Sequence, residues 1–260
     1  MDNIIELTDG FFDLRINEFL PKFRNTHKKE YELIRETKSL FDKAKCKFIG
    51  QTVTEDELYL ATEIVGLSKL FQSAVVLFER GLLESGNIII RSCIELSLKI
   101  VELAKNKNFI DDMKKEQNSE NKRTLDNITR KELYDLVPKE TVEELLSSFN
   151  LEEDKPKFSV FKLAEKNNLM QVYILFRLYC NESHQSISTL KEIQVFKDDG
   201  VSLNGNLRLD KFSEAIYMLI SIVIIPFPAL IDKHSTDYEL KEQYESLIEN
   251  LQNTFEKDNP

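Results

Sequence analysis

Residues 169–184 read LMQVYILFRLYCNESH, and this stretch decides how the rest of the chain is interpreted. Its first twelve residues are apolar except for one glutamine and Arg177, which predicts a largely buried helix. Each residue of a helix advances about 100°, so Arg177, Asn181 and His184 would share one face. An arginine within such a run must reach solvent, pair with a carboxylate or bind a ligand. The stretch therefore predicts both a core helix and a candidate site.

The composition is that of a globular protein with long helices. The 260 residues are 42% hydrophobic and 31% charged, enough for one large domain or two small ones. Only 7 glycines and 6 prolines occur, and few helix breakers favour long helices over many short strands. A net charge of −10 argues against a broad nonspecific nucleic-acid surface, although it leaves room for a local basic site.

The three cysteines, Cys46, Cys93 and Cys180, are odd in number and widely separated. They are expected to be reduced thiols of a cytoplasmic protein. The first ten residues, MDNIIELTDG, lack the basic start and apolar core of a signal peptide.

The pattern of apolar residues predicts an all-α fold. Thr54 and Glu57 form a capping box that begins a long helix, and Gly81 ends it. We expect an up-and-down bundle of four to five long helices, with short helices inserted between residues 106 and 168. The predicted core helices are 54–80, 84–105, 168–184 and 208–231.

The chain divides by charge and periodicity into three parts. These are an N-terminal helical segment (1–53), a helical bundle domain (54–235) and a C-terminal amphipathic helix (236–260). Pro21 is expected to kink or divide the first part, and His27 is interpreted as an ordinary surface histidine.

Two polar stretches are harder to assign. Residues 106–127 have little periodicity and are interpreted as a connection, with short helices expected near 128–137 and 142–150. The turn signals Asp199-Gly200 and Asn204-Gly205 are compatible with a small hairpin or an irregular loop.

Residues 215–231 contain no charge over 17 positions, which is the lower limit for a membrane span. Pro226 and Pro228 interrupt the segment after about three turns, and no basic cluster sets an orientation. A buried core helix is preferred, and a membrane-attached regulator is the alternative.

Several kinds of site are missing from the sequence. There is no Gly-x-Gly-x-x-Gly, phosphate-binding loop or Gly-x-Ser-x-Gly motif, and no zinc or Glu-x-x-His pattern. No cofactor or metal is therefore expected, and an enzyme of this sequence would use arginine, histidine and polar side chains.

Arg177 and His184 suit metal-independent phosphodiester cleavage. The arginine would hold a phosphate, the histidine would transfer a proton, and Asn181 would orient either group. The alternative is that Arg177 pairs with a carboxylate such as Glu95 and His184 merely ends the helix. Arg91 and Glu95, one turn apart, form either an exposed ion pair or a support that faces the Arg177 helix.

The spacing Arg177-x6-His184 resembles the long form of the Arg-x4-6-His motif of the HEPN superfamily (higher eukaryotes and prokaryotes nucleotide-binding). This resemblance implies an all-helical ribonuclease of toxin–antitoxin or phage-defence systems, with a site formed across a homodimer. Leu178 stands where those nucleases usually place a polar residue, and Asn181 is the candidate replacement.

A second, more specific resemblance covers roughly residues 58–235. LFQSAVVLFERGLLESGNIIIRSCIEL (70–96) with RLYCNESH (177–184) is similar to a bacterial helical family of unknown function. That family has an Arg-x3-Glu helix and a later Tyr-x3-Ser-x2/3-His segment. The resemblance implies the fold, and it indicates as supporting residues Arg91, Glu95, Tyr179 and Ser183.

Two functions follow as hypotheses. The first is a HEPN-like, metal-independent ribonuclease that acts on RNA as a homodimer and is held by a protein partner such as an antitoxin. The second is a non-catalytic helical scaffold that binds a partner protein, for which the acidic surface and charged middle segment are suited.

Overall fold

The computed structural model describes residues 15–48, 54–128, 138–148, 158–183, 194–197, 200–203, 209–234 and 238–258. These residues are helical apart from one short pair of strands and the turns between helices, which confirms the all-α fold class.

The elements of the described residues follow one another as a series of helices interrupted by one hairpin. In chain order they are α1 (Arg15–Thr26), α2 (Lys28–Cys46), α3 (Glu55–Glu79), α4 (Leu83–Lys105), α5 (Phe109–Ile128), α6 (Lys139–Ser148), α7 (Val160–Lys166), α8 (Met170–Ser183), β1 (Gln194–Lys197), β2 (Gly200–Leu203), α9 (Phe212–Val223), α10 (Phe227–Lys233) and α11 (Tyr238–Asp258).

Helices α3 and α4 form the central antiparallel pair. The backbone N–H of Thr54 donates to the Glu57 carboxylate at 2.9 Å, so the predicted capping box is confirmed. Gly81, with φ of 70°, ends the first helix in the left-handed conformation that glycine tolerates best. At the start of α4, a Cβ on Gly86 would lie 2.1 Å from the Phe78 ring. The close approach of the two helices therefore depends on a glycine at position 86.

One hydrophobic core runs through the bundle and includes the terminal helices. Leu33 and Leu40 of α2 and Leu247 of α11 are buried in the same cluster as the central helices. Buried apolar area is the main stabilising contribution in a domain of this size. The division into 1–53, 54–235 and 236–260 stays a prediction. The largest fully buried rings of the core are Phe41, Phe71, Phe78, Phe212 and Phe227.

The N-terminal helices differ from expectation in the position of their division and in the surroundings of His27. The chain remains helical through Pro21, which is exposed, and the division falls at His27. The His27 ring is only partly exposed, because it lies 4.4 Å from the Phe23 ring and 5.1 Å from the Phe212 ring. The interpretation of His27 as an ordinary surface histidine is therefore wrong.

The stretch interpreted as a connection is the 20-residue helix α5, so that interpretation is wrong. Three apolar side chains near its ends are buried, namely Phe109, Ile110 and Leu125. Between them, apart from Met113, the residues are polar, and they include three lysines, two glutamates, one arginine and one glutamine, which are good helix formers. The helix expected near 128–137 lies almost wholly outside the described residues, and α6 starts three residues before the helix expected near 142–150.

The apolar segment after the hairpin is divided as predicted. Helix α9 ends after three turns at Val223, and Pro226 precedes α10. Of the two structures proposed for the preceding stretch, the hairpin is present, with β1 and β2 antiparallel and Gln194 paired with Leu203.

Within the described ranges, two stretches are long and apolar enough to cross a membrane, namely Glu55–Glu79 and Leu209–Lys233. In the structure, 39% of the most apolar part of Glu55–Glu79 is buried, and 67% of that of Leu209–Lys233. The core helix of a soluble protein meets the same test of length and composition.

Candidate functional site

Helix α8 carries the candidate site, and the preceding turn sets its direction. Ser159 caps α7 by accepting a hydrogen bond from the Lys162 backbone N–H at 3.3 Å. Asn168 then adopts a positive φ of 58°, a conformation that asparagine tolerates better than most residues. The Leu169 N–H donates to the Ala164 carbonyl at 2.7 Å, which closes the turn. The two helices are thereby joined as a tight hairpin.

A buried carboxylate fastens this hairpin to α4. Glu102 is 1% exposed and accepts hydrogen bonds from Lys166, from Asn106 at 3.0 Å and from Asn167 at 3.1 Å. Burial alone would raise the pKa of Glu102, but these hydrogen bonds together hold the pKa below its ordinary value. The carboxylate is therefore charged at neutral pH and anchors the helix hairpin.

One face of α8 is packed against α4. Val172, Phe176 and Cys180, at successive four-residue intervals, are buried in the core. The opposite face is open, with Ile174 58% exposed and Leu178 56% exposed. The predicted apolar helix is thus only half covered within the part of the chain that the structure describes.

Arg91 of α4 lies against the packed face of α8. Its Nε donates a hydrogen bond to Sγ of Cys180 at 3.1 Å, and its guanidinium lies 5.3 Å from the centre of the Phe176 ring. Glu95 pairs instead with Lys99 at 3.4 Å, and Lys99 also reaches Glu116 of α5 at 3.2 Å. The two residues of the Arg-x3-Glu pattern are therefore directed to different neighbours.

Arg177 lies on the open side of α8 and is exposed. It has no hydrogen bond or ion pair to any residue that the structure describes, and the proposed pairing with Glu95 is not formed. Its guanidinium is thus accessible from solvent.

The other site residues are described only in part. Asn181 and Ser183 belong to α8 by their backbone, and Tyr179 is half buried against the core. His184 lies outside the described residues. The juxtaposition of Arg177 and His184 stays a prediction from their helical spacing.

Aromatic side chains form a row beside Arg177 that sequence reasoning missed. Phe161 of α7 meets Tyr173 edge to face at 5.2 Å, and Tyr173 stacks on Phe176 at 6.2 Å. Phe161 is nevertheless 41% exposed. One sequence feature could have indicated this row. Phe161 lies next to Lys162 on a short helix with only two buried residues, so its ring could be expected to be partly exposed.

Two further buried carboxylates tie the N-terminal helices to the bundle, and no local pattern indicated them. Glu79 of α3 accepts hydrogen bonds from Arg24 and from the Tyr31 hydroxyl, the latter at 2.7 Å. Burial and the nearby Glu79 carboxylate raise the pKa of Tyr31, which keeps its hydroxyl a donor.

Glu30 makes the second connection. The Ser213 hydroxyl donates to its carboxylate at 2.6 Å and the Tyr217 hydroxyl at 3.3 Å, while His27 lies 3.7 Å away. These contacts join α2 to α9. Because the partners are more than 180 positions apart, only the tertiary structure brings them together.

Among the described residues, no group of three or more histidine, cysteine, aspartate or glutamate side chains is arranged to hold a metal ion. No curated protein and no solved structure matches the chain. A family model does match residues 58–201, which run from the first turn of α3 into β2 and include Arg91, Arg177 and His184. The resemblance to a helical family of unknown function is therefore confirmed, and the chain belongs to the family described as "Family of unknown function (DUF5677)".

Proposed function

We propose that this protein is a metal-independent ribonuclease that acts as a homodimer, in the manner of the HEPN nucleases of toxin and phage-defence systems. The observation that carries the proposal is Arg177, an exposed arginine on an apolar helix with no partner among the described residues. Its neighbour Arg91 is used in packing, whereas Arg177 makes no contribution of that kind. An exposed arginine of this kind is suited to bind an anionic ligand such as a phosphate.

The chemistry assigns a role to each candidate residue. His184 accepts the proton of a ribose 2′-hydroxyl, whose oxygen attacks the adjacent phosphorus and displaces the 5′-oxygen. The products are a 2′,3′-cyclic phosphate and a 5′-hydroxyl, the latter protonated by the histidine or by water. Arg177 binds the phosphate and stabilises the charge that develops on its oxygens. Asn181 orients one of these groups.

The support for a homodimer is the uncovered face of α8. Ile174 and Leu178 are large apolar residues on the open side of the helix, and Arg177 lies between them in the sequence. Burying such a face against a second copy would bring two Arg177 side chains toward one interface.

The same apolar face also supports the second candidate function, a scaffold that binds a partner protein. In that case Ile174 and Leu178 would contact the partner, and Arg177 would lie at the polar rim. An antitoxin is one partner of this kind, and it would also be compatible with the nuclease. We place either activity in the cytoplasm, and fractionation of expressing cells tests this placement.

The test is cleavage of labelled RNA by the purified protein in excess chelator. We expect cleavage products that end in a 2′,3′-cyclic phosphate. Arg177→Ala and His184→Ala should each reduce the rate about 100-fold or more, because each removes charge stabilisation or proton transfer. A substrate whose 2′-hydroxyl is replaced by hydrogen should remain intact.

Arg123→Ala is the matched control, because Arg123 is also an exposed arginine on a helix but lies on α5. It should leave the rate unchanged. If RNA is not cleaved, or if both site variants cleave as fast as the parent protein, the nuclease assignment is wrong. Capture of a partner that is lost in Leu178→Glu would then favour the scaffold.

A further inference from the structure

The aromatic row beside Arg177 ends at an exposed ring. Phe161 is held edge to face against Tyr173 at 5.2 Å, and yet 41% of the residue is accessible. Tyr173 precedes Arg177 by four residues, so the two lie one helical turn, or about 6 Å, apart along α8. A ring that is fixed on one edge and open to solvent, near a cation with no partner among the described residues, has the geometry of a stacking surface.

The charge around this ring is unlike that of the whole chain. The α7–α8 hairpin, residues 160–183, contains three cations, Lys162, Lys166 and Arg177, and two carboxylates, Glu165 and Glu182. The chain as a whole has 45 acidic and 35 basic residues. Lys166 is paired with Glu102, so the exposed cations that the hairpin offers to a polyanion are Lys162 and Arg177. The hairpin therefore lacks the acidic excess of the whole chain.

We propose that Phe161, supported by Tyr173, is the stacking platform for an unpaired base of single-stranded RNA whose phosphate lies on Arg177. The choice of RNA as occupant rests on the proposed nuclease function. Aromatic rings beside cations bind single strands because every unpaired base has a π-face, whereas a duplex hides those faces. The substrate class is accordingly single-stranded RNA, with little preference among bases.

The absence of tryptophan from the sequence permits a direct test. Phe161→Trp introduces the only indole, and stacking of a base on it would quench its fluorescence. We expect saturable quenching by a single-stranded oligonucleotide that carries 2′-O-methyl groups and cannot be cleaved. An abasic oligonucleotide of equal length should not quench. Tyr238→Trp, at a residue 76% exposed on α11, is the matched control and should respond to neither.

Affinity provides the second measurement, by fluorescence anisotropy with the same labelled oligonucleotide. Phe161→Ala should weaken binding about 5- to 100-fold, the range found for loss of one stacked base. Phe161→Tyr should retain binding, and the annealed duplex should bind more weakly than the single strand. Leu58→Ala, an exposed apolar residue on α3, controls for loss of surface area and should leave affinity unchanged. Thermal melts show whether each variant is folded.

The outcomes separate this proposal from the nuclease assignment. Phe161-dependent binding without Arg177-dependent cleavage would keep the platform and reject the nuclease. Arg177-dependent cleavage with unchanged affinity and no specific quenching in the Phe161 variants would reject the platform and keep the nuclease. If Phe161→Ala alters self-association and leaves oligonucleotide affinity unchanged, the ring belongs to a protein interface and the platform is wrong. No binding of the parent protein to the oligonucleotide also overturns it.

Discussion

Arg91 on α4 and Cys180 on α8 are joined by a hydrogen bond of 3.1 Å from the arginine Nε to the cysteine Sγ. The same guanidinium lies over the Phe176 ring, so Arg91 contacts two residues on the buried side of α8. Together with the core packing of Val172, this contact sets the rotation of α8 that keeps Arg177 on the open side.

Loss of the Arg91 contacts should destabilise the fold. Arg91→Ala removes the hydrogen bond and the cation–π contact and should lower the free energy of unfolding by about 1–2 kcal/mol. Urea denaturation measures the change. Arg123→Ala, on the exposed surface of α5, should have almost no effect. Equal stability of the two variants would contradict the structural role of Arg91.

Two glycines at the α3–α4 interface should respond oppositely to alanine. Gly86→Ala places a methyl group 2.1 Å from the Phe78 ring, so it should cost about 1–3 kcal/mol as the helices separate. Gly66→Ala meets only Leu96, at an ordinary 3.4 Å, and should stabilise α3 by up to about 1 kcal/mol. Thermal melts of the pair test the interface, and a stable Gly86→Ala protein would contradict the packing.

Glu30 and Glu102 should make the protein sensitive to acid. Burial raises the pKa of each carboxyl, but their hydrogen bonds outweigh burial and hold both pKa values below the ordinary value. Their stabilisation is therefore complete above the unfolded pKa, about 4.3, and is lost as the pH falls through the folded pKa. The free energy of unfolding of Glu102→Gln should depend less on pH below about 4.3. Glu239→Gln, at an exposed position on α11, should keep the parent pH profile.

Glu63 should behave in the opposite sense. Burial raises the pKa of Glu63, and the nearby Glu116 and Glu95 carboxylates add to this effect, while Lys99 opposes it. A raised pKa means that the charged form destabilises the folded state above that pKa, and that the penalty disappears as the pH falls. Glu63→Gln should therefore unfold at higher urea than the parent at pH 7, with a smaller difference near pH 4. A destabilised variant at pH 7 would contradict this account.

The proposed dimer predicts a large effect of charge on the open face of α8. Leu178→Glu would place a carboxylate at the centre of the interface and should shift the protein to monomer. Sedimentation velocity measures the change over a range of concentrations. Leu58→Glu, at a residue equally exposed on α3, is the control and should leave the mass unchanged. A parent protein that is monomeric at all concentrations would rule out the dimer.

Local signals were sufficient for the helices whose apolar residues repeat along one face. Thr54, Glu57 and Gly81 marked the ends of α3 because capping and the left-handed turn are decided within a few residues. The break near Pro226 followed from the missing backbone donor of proline. Helix α5 was missed because its buried residues lie near its two ends, so its polar centre shows no repeating apolar face.

The candidate site was predictable only in its residue types. The spacing alone placed Arg177 and Asn181 on one face of a helix, but it left open whether Arg177 pairs with a carboxylate. Phe161 beside Tyr173 could not, because that contact depends on the turn at Asn168 that folds α7 back onto α8. The buried acids Glu30 and Glu79 were likewise invisible, since their partners lie on other helices.

By itself, the amino-acid sequence determined the all-α class, the caps and breaks of the main helices, and the apolar faces that had to be buried. These features depend on interactions among residues close in the chain, where helical periodicity gives the geometry. The tertiary structure alone decided that Arg91 is committed to Cys180, that Glu95 is committed to Lys99, and that Arg177 remains open. The reason is physical: which side chains meet across helices depends on how whole helices pack, and that is a property of the assembled core.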